Sequence, residues 1–594
     1  MATAITLPQR AAMPQSTLRT LGSYIRPYWH KTAVGIVALL VVNSIGAYIP
    51  QLIRNAIDKL EVTFSFEQIL QAAIVVIVLA SVMWVVRMVS RTLIFGVGRQ
   101  VEFDLKQRIF RHLLTLEPAY FQRVKPGEII SRATSDVDNI RRLVGFAVLS
   151  LANTVFAYAL TLPFMVSISL QLTLAALVVY PIMLFMVNLF SERLRDEQQV
   201  VQEKDANISD LIQEDMSGMA LIKIYSQEEN ERRAFQDLSQ QLLEANLQLG
   251  RTRNTLFPLL SGLASVSLLV ILALGAGAIA SGALSVGDFV ALLLYVERLV
   301  FPTALLGFTI TAYQRGEVSI ARIQEILTVK PRIADSEAAQ PLPRQSVRGQ
   351  VEARQLTYRY PEAAQTALDA VSFAIAPGET VAVVGPIGSG KSTLANALPY
   401  LLDIAPGQLF VDGQDITQLR INDLRAAIAY VPQDSFLFST TIRNNIRYGD
   451  PVAEQAEVEL AAKQAQIHSE ILNFPKQYDT LVGERGITLS GGQRQRTALA
   501  RALLVDAPLL ILDDALSSVD SRTAAAILSN LSSGTAQKTV VFITHQMAAA
   551  ATTDRIFVMD KGRIVQSGSH EALLRQAGLY RHLWEQHRLE EVLQ

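Results

Sequence analysis

Six long apolar runs, near residues 33–53, 69–95, 146–168, 171–190, 255–281 and 288–314, decide most of what this 594-residue chain can fold into. Each approaches the roughly 20 residues a helix needs to cross a bilayer. Inside lipid a backbone must satisfy its own polar groups, so the runs read as six transmembrane helices. The run at 171–190 is the shortest, and Arg87 and Arg91 interrupt the one at 69–95. Loops after the third and fifth runs are a few residues long, whereas those after the second and fourth extend for dozens of charged residues. Segment 102–145 holds Lys106, Arg108, Arg111, Arg123, Lys125, Arg132, Arg141 and Arg142. The positive-inside tendency therefore places the long segments, and both termini, in the cytoplasm.

Segments 102–145 and 191–254 carry helical charge spacing, such as Glu102–Lys106 and Glu228–Arg232. Their glycine-containing breaks fall at Pro126-Gly127 and Ser217-Gly218. The expectation is two helical hairpins extending beyond the membrane, with Gly127–Asp138 and Met216–Gln227 at the tips. Two ordinary cytosolic helical loops fit the same residues. Arg87, Arg91, Glu297 and Arg298 are ionisable at or near membrane depth, where such groups either line a pathway or snorkel to the interface. Pro163, Pro181, Pro258 and Pro302 are candidate kink positions.

The chain carries 53 basic and 54 acidic residues and no dense Lys/Arg tract, which gives no footprint for a nucleic-acid partner. It has no cysteine, so disulfides and thiolate chemistry are excluded. The first 20 residues lack the apolar stretch of a secretory signal. Lys330-Pro-Arg and Pro341-Leu-Pro-Arg344 break regular structure, which divides the chain into a membrane domain at 1–327, a linker at 328–349 and a second domain at 350–594. The second domain has short β runs at Val351–Tyr360, Ser372–Ile375, Thr380–Val384 and Gln408–Val411, alternating with helical stretches. The fold class expected is an all-α polytopic membrane domain followed by an α/β P-loop nucleotide-binding domain with a covered parallel sheet.

The P-loop reading rests on residues 385–392, which run Gly385, Pro386, Ile387, Gly388, Ser389, Gly390, Lys391, Ser392 and fit G-x-x-x-x-G-K-[ST]. A strand-like Thr380–Val384 precedes them and a helix-like Thr393–Leu398 follows. Glycines let backbone N–H groups face a polyphosphate; Lys391 reaches the β/γ-phosphates and the Ser392 hydroxyl suits Mg²⁺. Leu509–Asp513 is an apolar strand ending in a carboxylate, where a Mg²⁺-coordinating Asp belongs beside the phosphates. Val540–His545 is a second such run, ending in a histidine that is either structural or a γ-phosphate contact.

Leu489-Ser-Gly-Gly-Gln493, with Ser490, Gly491, Gly492 and Gln493, resembles the signature motif of ATP-binding cassette proteins, and it precedes the Asp513 strand at that family's spacing. Further positions follow the family's order. Tyr360 resembles the adenine-stacking aromatic, with Thr393 in the same nucleotide-contacting set. Gln433 resembles the Q-loop glutamine that contacts Mg²⁺ and water, Ser517–Asp520 the D-loop, and His545 the switch histidine. Thr480–Gly486 resembles the X-loop of exporters. With six spans ahead of the cassette, nearly the whole chain resembles an exporter half-transporter of the multidrug and lipid-flippase type. That resemblance implies a dimer using ATP and Mg²⁺ to export hydrophobic or amphipathic drugs, lipids or peptides by alternating access. It implies a multi-pass protein of the bacterial inner membrane with a cytoplasmic cassette. An ATP-gated channel or a regulatory ATP-binding subunit is the alternative.

One position departs from the family. After Asp513 the family places a glutamate as general base, and this chain has Asp514. The missing methylene withdraws the carboxylate by roughly an ångström, and misplacement on that scale can cost about 10²-fold in rate. The pattern resembles the degenerate subunit of heterodimeric exporters, so a second, competent half-transporter is the expected partner, with a slow homodimer as the other reading.

Overall fold

The computed structural model describes residues 17–62, 66–361, 363–483, 486, 488–519, 523–524, 526–527 and 538–593. They form two compact units, 125–329 joined by the chain up to residue 114, and 330 onward joined by 115–124.

The first unit is helical: α1 (Thr17–Ile25), α2 (Trp29–Val62), α3 (Phe66–Leu113), α5 (Pro126–Ser131), α6 (Val137–Arg142), α7 (Val148–Ile168), α8 (Leu170–Leu177), α9 (Val179–Ile224), α10 (Glu228–Ala280) and α11 (Val286–Leu327). The short α4 (Pro118–Arg123) belongs to the second unit. Among the described residues six helical passes are long and apolar enough to cross a membrane, and they match the six runs in order. Two π-helical turns, Arg132–Asp136 and Leu143–Ala147, interrupt the third pass without ending it. The break between α8 and α9 falls at Val178, one turn before Pro181, whose ring and missing N–H disfavour a continuous helix. Helices α7, α10 and α11 run through Pro163, Pro258 and Pro302.

Several polar groups between the spans find partners on neighbouring helices, while Thr161 Oγ1, Ser191 Oγ and Arg298 Nε are buried without a hydrogen-bond partner. Tyr180 donates to the Val296 carbonyl at 2.7 Å and Tyr295 to that of Ala47 at 2.9 Å. Arg298 donates to the Asn43 carbonyl at 2.9 Å and to Asn43 Oδ1 at 3.2 Å, tying α11 to α2, while Glu297 is exposed. Arg298 is thus a helix tie. Small residues bring backbones together: a Cβ at Gly98 would lie 3.0 Å from the Arg141 carbonyl and 3.4 Å from the Gly145 Cα.

The first hairpin turn lies elsewhere than expected, and the second falls at the end of the expected tip Met216–Gln227 rather than at its Ser217-Gly218 break. Helix α9 continues through Ser217-Gly218 to Ile224, and the turn is at Tyr225–Gln227, where Ser226 adopts φ 52°. A single glycine costs a helix only about 1 kcal/mol, and α9 is braced along α10 by contacts such as Lys204–Gln241 at 2.9 Å. The stronger signal was the acidic cluster Glu228, Glu229 and Glu231, which suits the N-terminus of α10. In the first hairpin Pro126 opens α5 as an N-terminal residue, and the chain reverses through residues 114–125 around α4. Gly127–Asp138 therefore forms part of a helical leg rather than a tip.

In the second unit, strands β1 (Val351–Tyr358), β2 (Leu368–Ile375), β4 (Leu409–Val411) and β5 (Gln414–Asp415) form an antiparallel sheet in the order β2-β1-β4-β5. β3 (Thr380–Val384), β6 (Ile428–Val431), β7 (Leu509–Asp513), β8 (Thr539–Ile543), β9 (Arg555–Asp560) and β10 (Arg563–Gly568) form a six-stranded sheet in the order β10-β9-β3-β8-β7-β6. The latter is parallel except for its β10 edge. The sequence reading anticipated the parallel sheet and missed the separate antiparallel one, because short β runs do not announce their partners. Strands β3, β7 and β8 are almost fully buried on both faces, as a covered central sheet requires. Residues 330–349 pack on this unit, with Ile333, Leu342 and Val347 buried.

Gly98→Val should destabilise the protein by about 1–3 kcal/mol through overpacking at a closed crossing. Gly96→Val, whose Cβ would meet nothing within 4 Å, should not. Thermal unfolding of both variants in detergent checks this, and equal effects would contradict the packing assignment.

Candidate nucleotide site

The carboxyl ends of β3, β7 and β8 converge on one cavity of about 650 Å³. Its lining includes Tyr360, residues 387–393 of the P-loop and its helix, Gln433, Asp513, Asp514 and His545. Most residues singled out from the sequence are therefore side by side, although β1 and β8 lie nearly two hundred residues apart.

Backbone geometry builds the loop. Gly385 has φ 154° and Gly390 φ 99°, and a Cβ on them would fall 2.1 Å from the Met559 carbonyl and 2.4 Å from that of Ala367. Only glycine fits there. Ile387, at the loop's tip, is 93% exposed. Lys391 opens the following helix, is buried, and donates from Nζ to the Gly385 and Pro386 carbonyls, each at 2.8 Å. Pro386 and Gly385 thus cradle the lysine through their carbonyls. Gly388 and Ser389 complete the turn, with Ser389 Oγ 3.4 Å from Nζ. Ser392 Oγ donates to Asp513 Oδ1 at 3.1 Å, so hydroxyl and carboxylate share one spot. Tyr360 is half-buried, 3.4 Å from Thr393 Oγ1 and edge-on to Tyr358.

The electrostatics follow from burial. Desolvation pushes the Asp513 carboxyl above its ordinary value, reinforced by neighbouring Asp514 and offset in part by the Ser392 hydrogen bond. Desolvation likewise raises Asp514, against the lowering effect of His545 and Lys391. It lowers Lys391, against the two aspartates, and lowers His545, helped by Lys391 and opposed by Asp514. Asp514 sits at φ 49°, its N–H donating to the Ile543 carbonyl at 2.9 Å, with Oδ1 buried and without a hydrogen-bond partner. A pair of acids, a lysine and a histidine thus share one cavity, with Asp514 Oδ1 left without a partner.

The signature residues lie outside this cavity's lining. Ser490 caps the helix Gly491–Leu504: Gln493 N–H donates to Ser490 Oγ at 3.3 Å, and Ser490 N–H donates to Gln493 Oε1 at 2.9 Å. Gly492 allows the Ser518 carbonyl close by, within 2.8 Å of where a Cβ would be, and Gly491 approaches the Ser518 side chain. Asp520, and Glu484 and Arg485 of the X-loop-like segment, lie outside the described residues.

Three contributors escaped the sequence reading. Tyr430 on β6 reaches Asn396 at 3.0 Å and Asp513 at 3.5 Å. Gln495 donates to Ser517 Oγ and accepts from the Ser518 N–H, both at 2.8 Å. Gln546 donates to the Leu516 and Val519 carbonyls, linking the residue after His545 to the Ser517–Val519 turn. A tyrosine in an otherwise apolar buried strand was the one visible signal.

Residues 32–303 match the family described as the ABC transporter transmembrane region, and residues 368–517 that described as ABC transporter. The chain is 33% identical over 578 residues to the multidrug resistance-like ATP-binding protein MdlA of Escherichia coli, covering 96% of this chain and 97% of that one. It is 30% identical to the ATP-dependent lipid A-core flippase of Syntrophus aciditrophicus, covering 93% and 92%. A solved structure titled as a bacterial Atm1-family ABC exporter with ATP bound matches with TM-score 0.77 and 28% identity, covering 94% of this chain and 99% of that one. The chain belongs to the ABC transporter family, as an exporter half-transporter that joins one six-helix membrane domain to one ATP-binding cassette.

The raised Asp513 carboxyl makes a prediction about stability. An acid whose pKa is raised by folding stabilises the fold below its ordinary value, and that contribution is lost as pH climbs through the raised one. Asp513→Asn should therefore raise the unfolding temperature of the nucleotide-free chain near about pH 7 and reduce the stabilisation that added ATP provides. A lower unfolding temperature without nucleotide would contradict the buried-charge assignment.

Proposed function

We propose that this chain is one half of a dimeric exporter in which ATP binding drives alternating access, moving hydrophobic or amphipathic substrates out of the cytoplasm. The observation that carries the reading is the single cavity shared by Lys391, Ser392, Gln433, Asp513, Asp514 and His545. Lys391 and the loop N–H groups hold the β- and γ-phosphates, and Tyr360 stacks on the base. The Ser392 hydroxyl, the Asp513 carboxylate and Gln433 suit Mg²⁺, which uses few protein ligands and completes its shell with phosphate oxygens and water. The ion, when bound, neutralises charge on the β/γ oxygens.

Gln433 and His545 flank the γ-phosphate position, with His545 as its sensor. Ser490, Gly491, Gly492 and Gln493 present a hydroxyl, N–H groups and a helix N-terminus to the nucleotide of a second cassette, with Asp520 at the same junction. One chain supplies one P-loop face and one signature face, so two chains make two complete sites.

Asp514 is the weak point. Its shorter side chain leaves a buried, unpartnered Oδ1 where a glutamate would extend further, and water is held poorly. This supports a slow site whose intact signature completes the competent site of a different half-transporter, in a bacterial inner membrane with both cassettes cytoplasmic. ATP turnover of the chain alone in lipid, beside Asp514→Glu, tests this. The variant should raise turnover by about 10²-fold; brisk turnover by the native chain would instead make it a self-sufficient homodimer.

A further inference from the structure

A cavity of about 880 Å³ in the membrane unit is lined by fifteen residues, of which five are arginines and none is acidic. Arg141 and Arg142 come from α6, Arg195 from α9, Arg253 from α10 and Arg315 from α11. Each lies within a few residues of an end of an apolar run. The cavity is thus at the boundary where the spans give way to their charged extensions. Its lining also includes the apolar Phe146, Leu256 and Phe308.

Positive charge at span ends is common, and its ordinary form is an arginine scattered towards lipid headgroups or paired locally. Two of the five are paired: Arg141 and Arg142 share Asp138 at 2.5 and 2.7 Å. Arg195, Arg253 and Arg315 have no carboxylate partner within 4.0 Å among the described residues, yet they converge from three helices on one space. All three are exposed and reach water, and what sets them apart is that they line one cavity without a carboxylate among its lining. Guanidinium groups bind phosphate and carboxylate oxygens in pairs, and three unpaired forks around one cavity fit an anionic head. The apolar wall beside them fits a hydrocarbon body.

We propose that this cavity is the substrate-recognition site and that it selects anionic amphiphiles, with a phosphate- or carboxylate-type head on Arg195, Arg253 and Arg315 and an apolar tail against Phe146 and Phe308. This rests on the exporter reading and narrows its substrate class from amphiphiles in general to anionic ones. The head can come from a membrane phospholipid or from a water-soluble amphiphile.

The test is equilibrium binding to the full-length protein in neutral phosphatidylcholine nanodiscs without nucleotide, with empty nanodiscs as baseline. Dodecyl phosphate should show saturable binding at least about tenfold tighter than dodecyltrimethylammonium or inorganic phosphate, reflecting a charge-assisted contact. Arg195→Gln, Arg253→Gln and Arg315→Gln should each weaken it about tenfold, and the triple lysine variant should retain most of it. Competition by phosphatidic acid in the nanodisc would support a lipid source; undiminished binding would support a soluble one. Equal binding of the ammonium amphiphile, equal binding of inorganic phosphate, or indifference to the triple glutamine change would each overturn the proposal. ATP binding by the same variants verifies that they are folded. Failure of wild-type ATP binding would count against the exporter reading and leave the amphiphile result standing.

Discussion

The cassette depends on charge buried where three strands end. Asp513, Asp514 and Lys391 lie at the carboxyl edge of β3, β7 and β8, and burial disfavours the charged form of each. A fold tolerates such a cluster when something else supplies the missing partners. A polyphosphate with its cation meets that need: negative oxygens for Lys391 and the loop N–H groups, positive charge for the two carboxylates. The same strain that weakens the nucleotide-free cassette therefore contributes to its grip on the nucleotide. Close backbone approaches at Gly385 and Gly390 hold the loop in the required shape.

The membrane unit answers a different constraint. Polar side chains there gain by finding partners within the helix bundle, as the Tyr180, Tyr295 and Arg298 hydrogen bonds illustrate. Against that background the unpaired arginines at the span ends stand out. Arg298 shows how an intramembrane cation is quieted by carbonyl acceptors; Arg195, Arg253 and Arg315 are not quieted in this way among the described residues. Arg298 is half-buried between helices, whereas the other three are exposed at the cavity.

Much of this was legible in the sequence because the signals were local. The six spans follow from run length, and Thr380–Val384 and Leu509–Asp513 were read to the residue as strands. The P-loop, Asp513 and His545 could be grouped because an α/β sheet gathers strand ends at one edge, and Gln433 joined them through its resemblance to the family's Q-loop. Failures came where non-local packing decides. Ser217-Gly218 reads as a breaker, yet α10 lies alongside and holds the helix to Ile224. The antiparallel β1, β2, β4 and β5 sheet has no signature distinguishing it from the parallel one. Tyr430 and Gln495 serve the site only through contacts with residues far away in sequence. The arginine cavity was invisible for the same reason, since its five members span Arg141 to Arg315.

The most direct test of ATP-driven export is accumulation in inside-out vesicles containing the full-length chain with whichever partner co-purifies. The account predicts that ATP drives a fluorescent anionic amphiphile into the vesicle lumen above its outside concentration, and that Lys391→Ala abolishes this. Flux that ATP opens but that stops at equal concentrations would contradict it, and would make the protein an ATP-gated pathway rather than a pump.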